Sequence, residues 1–260
     1  MRPPGPVPNN PSPTRGTYGP HTSMSLTPGL LSATATAPPS GKPTILCLHG
    51  GGTNSTIFNI QTIRLQRALG ATFDFVFIDA PFESPAGPGV MPIFEGCGPY
   101  YRWLRPGVEE LDAETRALIS ATLAAKGRHF VGIMGFSQGG QTAAATCLEQ
   151  QVVAAKVGRG RIGFGVFLNS TSLPVTAGSG VDGDGDRQLI GLPSLHVVGL
   201  QDPWREDGER LWQKYFEKDK AKKVEFDVGH RLPTRQEDTE VIAREIKRLY
   251  EETKGMAQRC

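Results

Sequence analysis

A serine in the middle of the chain has the setting of a catalytic nucleophile. Ser137 is the central residue of "GFSQG" over 135–139, which matches the pattern G-x-S-x-G. The apolar run "HFVGIM" before it and the alanine-rich run "QTAAATCLEQQVVAA" after it predict a strand, a sharp turn and a helix. Such a turn strains the serine backbone and requires glycine neighbours. It also places the Gln138 amide at a helix N-terminus, where an N–H group can stabilise a developing oxyanion.

A serine hydroxyl is a poor nucleophile unless a histidine acts as its base. With this serine motif, an acid and then a histidine are expected to follow in the chain. Two histidines lie C-terminal to Ser137. His230 follows the strand-like run "KVEFDVG" in a loop bounded by Pro233, where we expect the base. His196 lies inside the run "SLHVVGL", which predicts a core or sheet-face residue.

The acid that orients the histidine is expected at the end of a strand. Asp202 stands just past "SLHVVGL", in the sequence "GLQDPW", and is the predicted partner of His230. Asp207 is the alternative, but it belongs to the charged stretch "REDGER", which is typical of a solvated helix face.

A glycine run upstream supplies a candidate for a second oxyanion donor. "HGGG" over 49–52 follows the first core strand and resembles the loop that gives such an N–H, which we assign to Gly51. The alternative is a purely structural turn. A phosphate-binding loop is not favoured, because the run lacks the lysine of that motif. We interpret His49 as a structural residue that stabilises the loop.

Short apolar runs alternate with helical patterns through most of the chain. This alternation predicts a doubly wound α/β domain over 43–253, with a mostly parallel sheet and helices on both faces. The predicted strands are "TILCLH", "FDFVFID", "HFVGIMGF", "GFGVFLN", "SLHVVGL" and "KVEFDVG", and the predicted helices are 55–69, 109–126, 138–155, 205–218 and 235–252. Residues 1–42 are rich in proline and contain no acidic residue, which predicts a disordered tail, and 254–260 form a short C-terminal tail.

Composition narrows the class of protein. Of the 260 residues, 38% are hydrophobic and 21% charged, and no apolar run is long enough to span a membrane. The net charge of +2 does not favour nucleic-acid binding. The four cysteines have no metal-ligand spacing, so we expect no metal site, and buried reduced thiols at Cys47 and Cys147 suit the cytoplasm. "GRGRIG" and "DGDGD" lack the context of a dinucleotide and a calcium site.

Several motifs occur together in an order that resembles one family. "ILCLHGGGTNSTIFNIQ", "FVFIDAPFES", "GFSQGG", "GLQDPW" and "GHRLP" are similar to the fungal serine-hydrolase family of α/β-hydrolases, over roughly residues 43 to 252. That family includes polyketide-releasing thioesterases of the lovastatin-pathway type. The resemblance implies an α/β-hydrolase fold without a large cap domain. It also implies Ser137 as nucleophile, Asp202 as orienting acid and His230 as base.

The resemblance also points to residues 80–104 as a wall of the substrate pocket. An aromatic lining there would suit an acyl or polyketide chain. The side chains expected to form it are Phe82, Phe94, Tyr100, Tyr101 and Trp103. The alternative for each of them is a loop folded back on the core.

These observations predict a hydrolase that cleaves an ester or thioester through an acyl-enzyme, without a metal or organic cofactor. By resemblance, its substrate is a polyketide or acyl thioester on a carrier protein, which would be a transient partner in product release. The alternatives are a general carboxylesterase for small soluble esters and a non-catalytic relative that uses the fold for binding.

Overall fold

Strands and helices alternate along the part of the chain that the structure, a computed structural model, describes. It describes residues 40–108, 111–157, 162–171 and 189–257. In chain order the elements are β1 (Pro43–Leu48), α1 (Ser55–Gln61), α2 (Ile63–Leu69), β2 (Asp74–Ile78), β3 (Phe82–Ser84), β4 (Tyr100–Arg102), α3 (Ala113–Leu123), β5 (His129–Phe136), α4 (Gln138–Val157), β6 (Phe164–Leu168), β7 (Ser194–Gly199), α5 (Arg205–Tyr215), β8 (Ala221–Phe226) and α6 (Gln236–Ala257).

The six predicted strands form one parallel sheet in the order β2-β1-β5-β6-β7-β8. The chain runs outward from β1 to one edge and then returns to add strands on the other side of β1. The strand order therefore reverses between β1 and β5, where Leu48 pairs with Gly135. Ligands of doubly wound sheets bind at the carboxyl ends of the strands beside such a reversal. The loops that begin at His49 and at Ser137 leave the sheet at this point.

The central strands β1, β5, β6 and β7 are buried on both faces of the sheet, which explains their continuous apolar sequences. In β1, Leu46 and Leu48 belong to one hydrophobic core, and Ile45 and Cys47 belong to the other. Helices α3, α4 and α5 cover the first core, and α1, α2 and α6 cover the second. The prediction of a doubly wound sheet with helices on both faces is confirmed.

Three features of the fold differ from the sequence prediction. The helix predicted over 55–69 is divided at Thr62, whose hydroxyl donates to Phe58 O at 2.8 Å. Strands β3 and β4 form an antiparallel hairpin that we did not predict. Helix α6 continues to Ala257, past residue 252 where the predicted helix ends.

Some predictions fall on residues that the structure does not describe. Residues 1–39, which include nearly all of the predicted tail, and the "DGDGD" segment lie outside the described ranges. Within those ranges, no helix is both long enough and apolar enough to cross a membrane. Cys47 and Cys147 are completely buried as predicted, and burial raises the pKa of the Cys147 thiol to about 12.

Candidate active site

Ser137 occupies the turn between β5 and α4 in the left-handed backbone region. Its φ is 53°, a conformation that residues other than glycine rarely adopt. The Ser137 N–H donates to Leu168 O at 3.0 Å, and the Ser137 carbonyl accepts from the Gly140 N–H at 2.9 Å. Strand β6 and the first turn of α4 therefore hold the serine in this conformation from both sides.

The two glycines of the serine motif are required by close backbone contacts. A Cβ atom on Gly135 would lie 2.2 Å from Gly139 O, and one on Gly139 would lie 2.2 Å from Leu48 O. No carbon atom fits at such distances, because van der Waals contact begins at about 3.5 Å. The strand, the helix and β1 can meet at Ser137 only if both positions lack a side chain.

Three loops bring the predicted serine, histidine and acid together. His230 Nε2 lies 2.9 Å from Ser137 Oγ, and His230 Nδ1 lies 2.8 Å from Asp202 Oδ2. Because a carboxylate can only accept, Nδ1 carries the proton of the neutral ring. The Nε2 lone pair therefore faces the serine hydroxyl, which is the arrangement a general base requires.

The environment of His230 fixes the plane of its ring. Its centroid lies 4.5 Å from that of Trp204 and 4.9 Å from that of Phe136. The Asp202 side chain is only 3% exposed, and its second oxygen accepts the Trp204 N–H at 2.8 Å. Both carboxylate oxygens are thus engaged, so Asp202 can orient the imidazole without reorganisation.

Asn169, which we did not single out from the sequence, connects the loops that carry the histidine and the acid. Its Nδ2 donates to Gly229 O at 3.1 Å and to Arg231 O at 3.2 Å, on either side of His230. Its Oδ1 accepts the Gly199 N–H at 3.1 Å, where β7 ends before Asp202. The one available signal is its position as the last residue of the predicted strand "GFGVFLN", because asparagine tolerates the left-handed φ of 43° found there.

His49 is a structural residue of the glycine loop, as we predicted. Its ring is completely buried, and Nε2 accepts the Ala80 N–H at 3.0 Å. Nδ1 lies 2.8 Å from Gly50 O, so the neutral ring carries its proton there. Burial, the largest cause, lowers the pKa of His49 to about 4. One ring nitrogen therefore bonds within the glycine loop, and the other joins that loop to the residues after β2.

Gly51 and Gln138, the predicted oxyanion donors, line one cavity together with Ser137. A Cβ atom on Gly51 would lie 3.1 Å from Gln138 Oε1, so the two residues are adjacent. The Gln138 side chain accepts the Trp103 N–H at 2.8 Å. Among the described residues, neither the Gly51 amide nor the Gln138 amide donates to a protein acceptor.

The cavity in front of Ser137 has a volume of about 320 Å³. Part of its wall does come from the predicted segment 80–104. Residues 85–88 and Arg102 contribute from that segment, and Gln141, Thr171 and Trp204 also belong to the lining. Besides the Trp204 indole, the wall is therefore built from proline, small residues, and hydroxyl, amide and guanidinium groups.

The residues predicted to form an aromatic lining lie outside the described wall of this cavity. Phe82, Phe94, Tyr101 and Trp103 are all absent from the described lining of the cavity. Trp103 is completely buried, and its indole N–H donates to His49 O at 2.7 Å. It supports the glycine loop from the core, because a tryptophan that can both bury its ring and satisfy its N–H is most stable inside.

The other aromatic residues also stabilise the segment itself. Tyr101 N donates to Thr53 O at 2.7 Å, and its side chain packs against the first core. The Phe82 ring lies 4.1 Å beneath the Arg105 guanidinium. The Phe94 carbonyl accepts the Tyr100 hydroxyl at 2.7 Å. The alternative of a segment folded back on the core describes these residues better.

The two competing residues lie away from Ser137, as expected. His196 is 2% exposed, packs between Phe167 and Phe216, and has its pKa lowered to about 3 by burial. Asp207 lies on α5 and forms an ion pair with Arg210 at 3.2 Å. In the described ranges, no group of three His, Cys, Asp or Glu side chains could hold a metal ion.

A doubly wound parallel sheet with a strained serine after a central strand is the architecture of α/β-hydrolases. Solved structures with this fold include a carboxylesterase of Bacillus cereus, with a TM-score of 0.54 and 16% identity, covering 80% of this chain and 89% of that one. A carboxylesterase of Mesorhizobium loti has a TM-score of 0.55 and 16% identity, covering 80% of this chain and 90% of that one. The predicted α/β-hydrolase fold is confirmed.

The chain belongs to the serine hydrolase (FSH1) family, whose model matches residues 39–242. Similar curated proteins include Esterase FUS5 of Gibberella fujikuroi, 36% identical over 216 residues that cover 80% of this chain and 88% of the relative. Thioesterase FSL2 of Gibberella zeae is 35% identical over 232 residues, covering 78% and 91%. Esterase citA of Monascus ruber is 34% identical over 244 residues, covering 81% and 93%. The family resemblance and the prediction of a serine hydrolase are confirmed.

Proposed function

We propose that this protein hydrolyses an ester or thioester bond in two steps, with Ser137 as the nucleophile. The observation that carries the proposal is the continuous chain of contacts from Asp202 to His230 to Ser137, at 2.8 and 2.9 Å. A serine, an imidazole and a buried carboxylate in this order are the elements of nucleophilic acyl transfer.

In the first step, Ser137 Oγ attacks the acyl carbonyl carbon as its proton moves to His230 Nε2. The resulting imidazolium is stabilised by the Asp202 carboxylate at Nδ1. When the tetrahedral intermediate collapses, the bond to the alkoxide or thiolate breaks, and His230 gives its proton to that leaving group. Water then attacks the acyl-enzyme by the same route, which releases the carboxylic acid and restores the serine.

The amides of Gln138 and Gly51 stabilise the oxyanion in both steps. Support for this assignment comes from their shared position in the cavity wall beside Ser137, at the N-terminus of α4. An amide fixed before the reaction stabilises the developing charge without reorganisation, and one such donor contributes about 3–4 kcal/mol to the transition state.

The physiological substrate that we propose is an acyl or polyketide thioester on a carrier protein, which is released as a free acid in the cytoplasm. Support comes from relatives named thioesterase and esterase, such as FSL2 and FUS5. The carrier would be a transient protein partner. The alternative is a general carboxylesterase for small soluble esters. The cavity volume of about 320 Å³ favours it, because this volume lies at the lower end of the range of about 300 to 1,000 Å³ for substrate pockets.

A comparison of three substrates with one acyl group tests this proposal. The substrates are the acyl-carrier thioester, the same acyl group on N-acetylcysteamine, and its 4-nitrophenyl ester, with Ser137→Ala as the control for background hydrolysis. We expect the highest kcat/KM for the carrier thioester. A strong preference for the 4-nitrophenyl ester, with no gain from the carrier, would overturn the releasing role and favour the carboxylesterase.

A further inference from the structure

A guanidinium to which the described residues offer no partner lies in the wall of the cavity that contains Ser137. Arg102, the last residue of β4, lines this cavity and is partly buried. Its Nε atom is buried, and within the described ranges this atom has no hydrogen-bond partner and Arg102 forms no ion pair. A buried donor without a partner costs about 1–3 kcal/mol, so its presence in a substrate cavity requires an explanation.

The hairpin register explains why no carboxylate of the hairpin reaches Arg102. In the β3–β4 pair, Arg102 stands opposite Phe82, and Glu83 stands opposite Tyr101. Directly opposed residues share one face of an antiparallel pair, so Glu83 points to the other face. Arg105, three residues further on, is by contrast fully paired with Asp112 and Glu114 at 2.8 and 2.7 Å.

The rest of the cavity also favours an anion. No Asp or Glu is among the described lining residues. Gln138 and Gln141 belong to the first turn of the 20-residue helix α4, whose N-terminus adds positive potential. Asp202, the carboxylate of the proposed triad, is directed at His230 and at the Trp204 amide.

We propose that Arg102 binds a carboxylate of the substrate close to the scissile carbonyl, so that substrates with a second, anionic group are preferred. This inference rests on the proposed function at Ser137. The planar guanidinium matches a carboxylate through two parallel hydrogen bonds. Because Arg102 and Ser137 line one cavity of about 320 Å³, the carboxylate must lie only a few bonds from the reacting carbon, in the acyl group or in the leaving group.

Two matched pairs of esters distinguish these two positions. Mono-4-nitrophenyl glutarate against 4-nitrophenyl pentanoate places the carboxylate in the acyl group. The compound 4-acetoxybenzoate against its methyl ester places it in the leaving group. The measured quantity is the selectivity ratio, which is kcat/KM for the anionic ester divided by kcat/KM for the neutral ester of the same pair.

We expect Arg102→Gln to lower the selectivity ratio of at least one pair by about ten- to a hundredfold, because a charge-assisted hydrogen bond is lost. Arg102→Lys should keep part of the selectivity, since the charge remains but the planar fork does not. Arg105→Gln is the matched control, because it removes the same charge from a residue outside the lining, and its ratios should equal those of the wild type.

The outcomes separate this inference from the proposed function. If both ratios stay at the wild-type value in Arg102→Gln and Arg102→Lys while ester hydrolysis still depends on Ser137, the role of Arg102 is overturned and the hydrolase stands. If Ser137→Ala hydrolyses all four esters as fast as the wild type, the proposed function fails and the inference fails with it. Thermal melting of each variant shows whether a loss of activity reflects unfolding, and the lysine variant provides a second test if the glutamine variant does not fold.

Discussion

Replacing Asn169 should slow catalysis through His230 without changing any of the three residues of the proposed triad. The Asn169 amide donates to the carbonyls of Gly229 and Arg231, which flank the histidine. Without these two hydrogen bonds the loop is still anchored by the Gln201 N–H, which donates to Val228 O at 3.0 Å, and by the contacts of His230 itself. Because Asn169 is not in the described cavity lining, its loss should lower kcat far more than it changes KM.

The expected loss of stability follows from the hydrogen bonds that the substitution removes. Asn169→Gly removes three hydrogen bonds at 3.1 to 3.2 Å without straining the left-handed backbone. At about 0.5–1.5 kcal/mol for each bond, the free energy of unfolding should fall by about 1.5–4.5 kcal/mol. Asn169→Ala should lose about 1–2 kcal/mol more, because alanine at a positive φ is strained. A displacement of about 1 Å at the catalytic base lowers kcat by about a hundredfold.

Asn169→Asp removes the two hydrogen bonds that the Asn169 amide donates, while the size of the side chain stays nearly the same. The aspartate is nearly isosteric and can still accept the Gly199 N–H, but it cannot donate to Gly229 O or Arg231 O. We expect its kcat for a 4-nitrophenyl ester to fall about as far as that of Asn169→Gly. Asn59→Asp is the matched control, because Asn59 is exposed on α1 and its side-chain oxygen only accepts, from Gln66 Nε2.

The assay is stopped-flow or steady-state ester hydrolysis at a temperature where circular dichroism shows every variant to be folded. If Asn169→Gly and Asn169→Asp both keep the wild-type kcat under that condition, the two carbonyl contacts do not position His230. If kcat is kept but stability falls as calculated, Asn169 contributes to folding alone.

Two further predictions concern the acid and the buried histidines. Asp202→Asn should lower kcat by roughly 10³–10⁴-fold, because the amide selects the wrong tautomer of His230. Asp207→Asn, the control, should keep kcat within a factor of about two. Equal losses of kcat in steady-state assays of the two variants would refute the assignment of the acid. The pKa values of His49 and His196 lie at about 4 and about 3 in the folded protein, against 6.5 as ordinary values, so only the unfolded chain binds these protons as the pH falls below 6.5. The stability from their burial is therefore complete above about pH 6.5 and is lost as the pH falls toward 4, by about 1.4 kcal/mol per pH unit for each histidine. Urea unfolding at pH 7, 6 and 5 should show that the free energy of unfolding falls by about 2 kcal/mol between pH 6 and 5. Equal free energies of unfolding at pH 7 and pH 5 would contradict this.

The central strands could be predicted because burial on both faces gives them continuous apolar sequences. β1 and β5 are of this kind, and their ends determine where the glycine loop and Ser137 must lie. Asp202 and His230 could be selected because each follows the end of a strand in the expected chain order. The sequence supports these predictions because short-range patterns determine both the strand and the position of the residue after it.

The hairpin and the cavity wall could not be predicted, because no short-range pattern in the sequence determines them. β3 and β4 have three residues each, too few to show an alternating pattern. An aromatic residue such as Trp103 suits a core and a pocket equally well by composition, and only its hydrogen bond to His49 O decides between them. The partners of Asn169 lie 30 to 62 residues away along the chain, so no local pattern identifies them.

Labelling with a fluorophosphonate, followed by mass spectrometry of the modified peptide, tests the nucleophile directly. The reagent forms a stable bond only with an activated serine. We predict one phosphonyl group on Ser137 in the wild type, no labelling in Ser137→Ala, and much slower labelling in His230→Ala. Equal labelling of the wild type and Ser137→Ala, or a modified peptide that does not contain Ser137, would contradict the account.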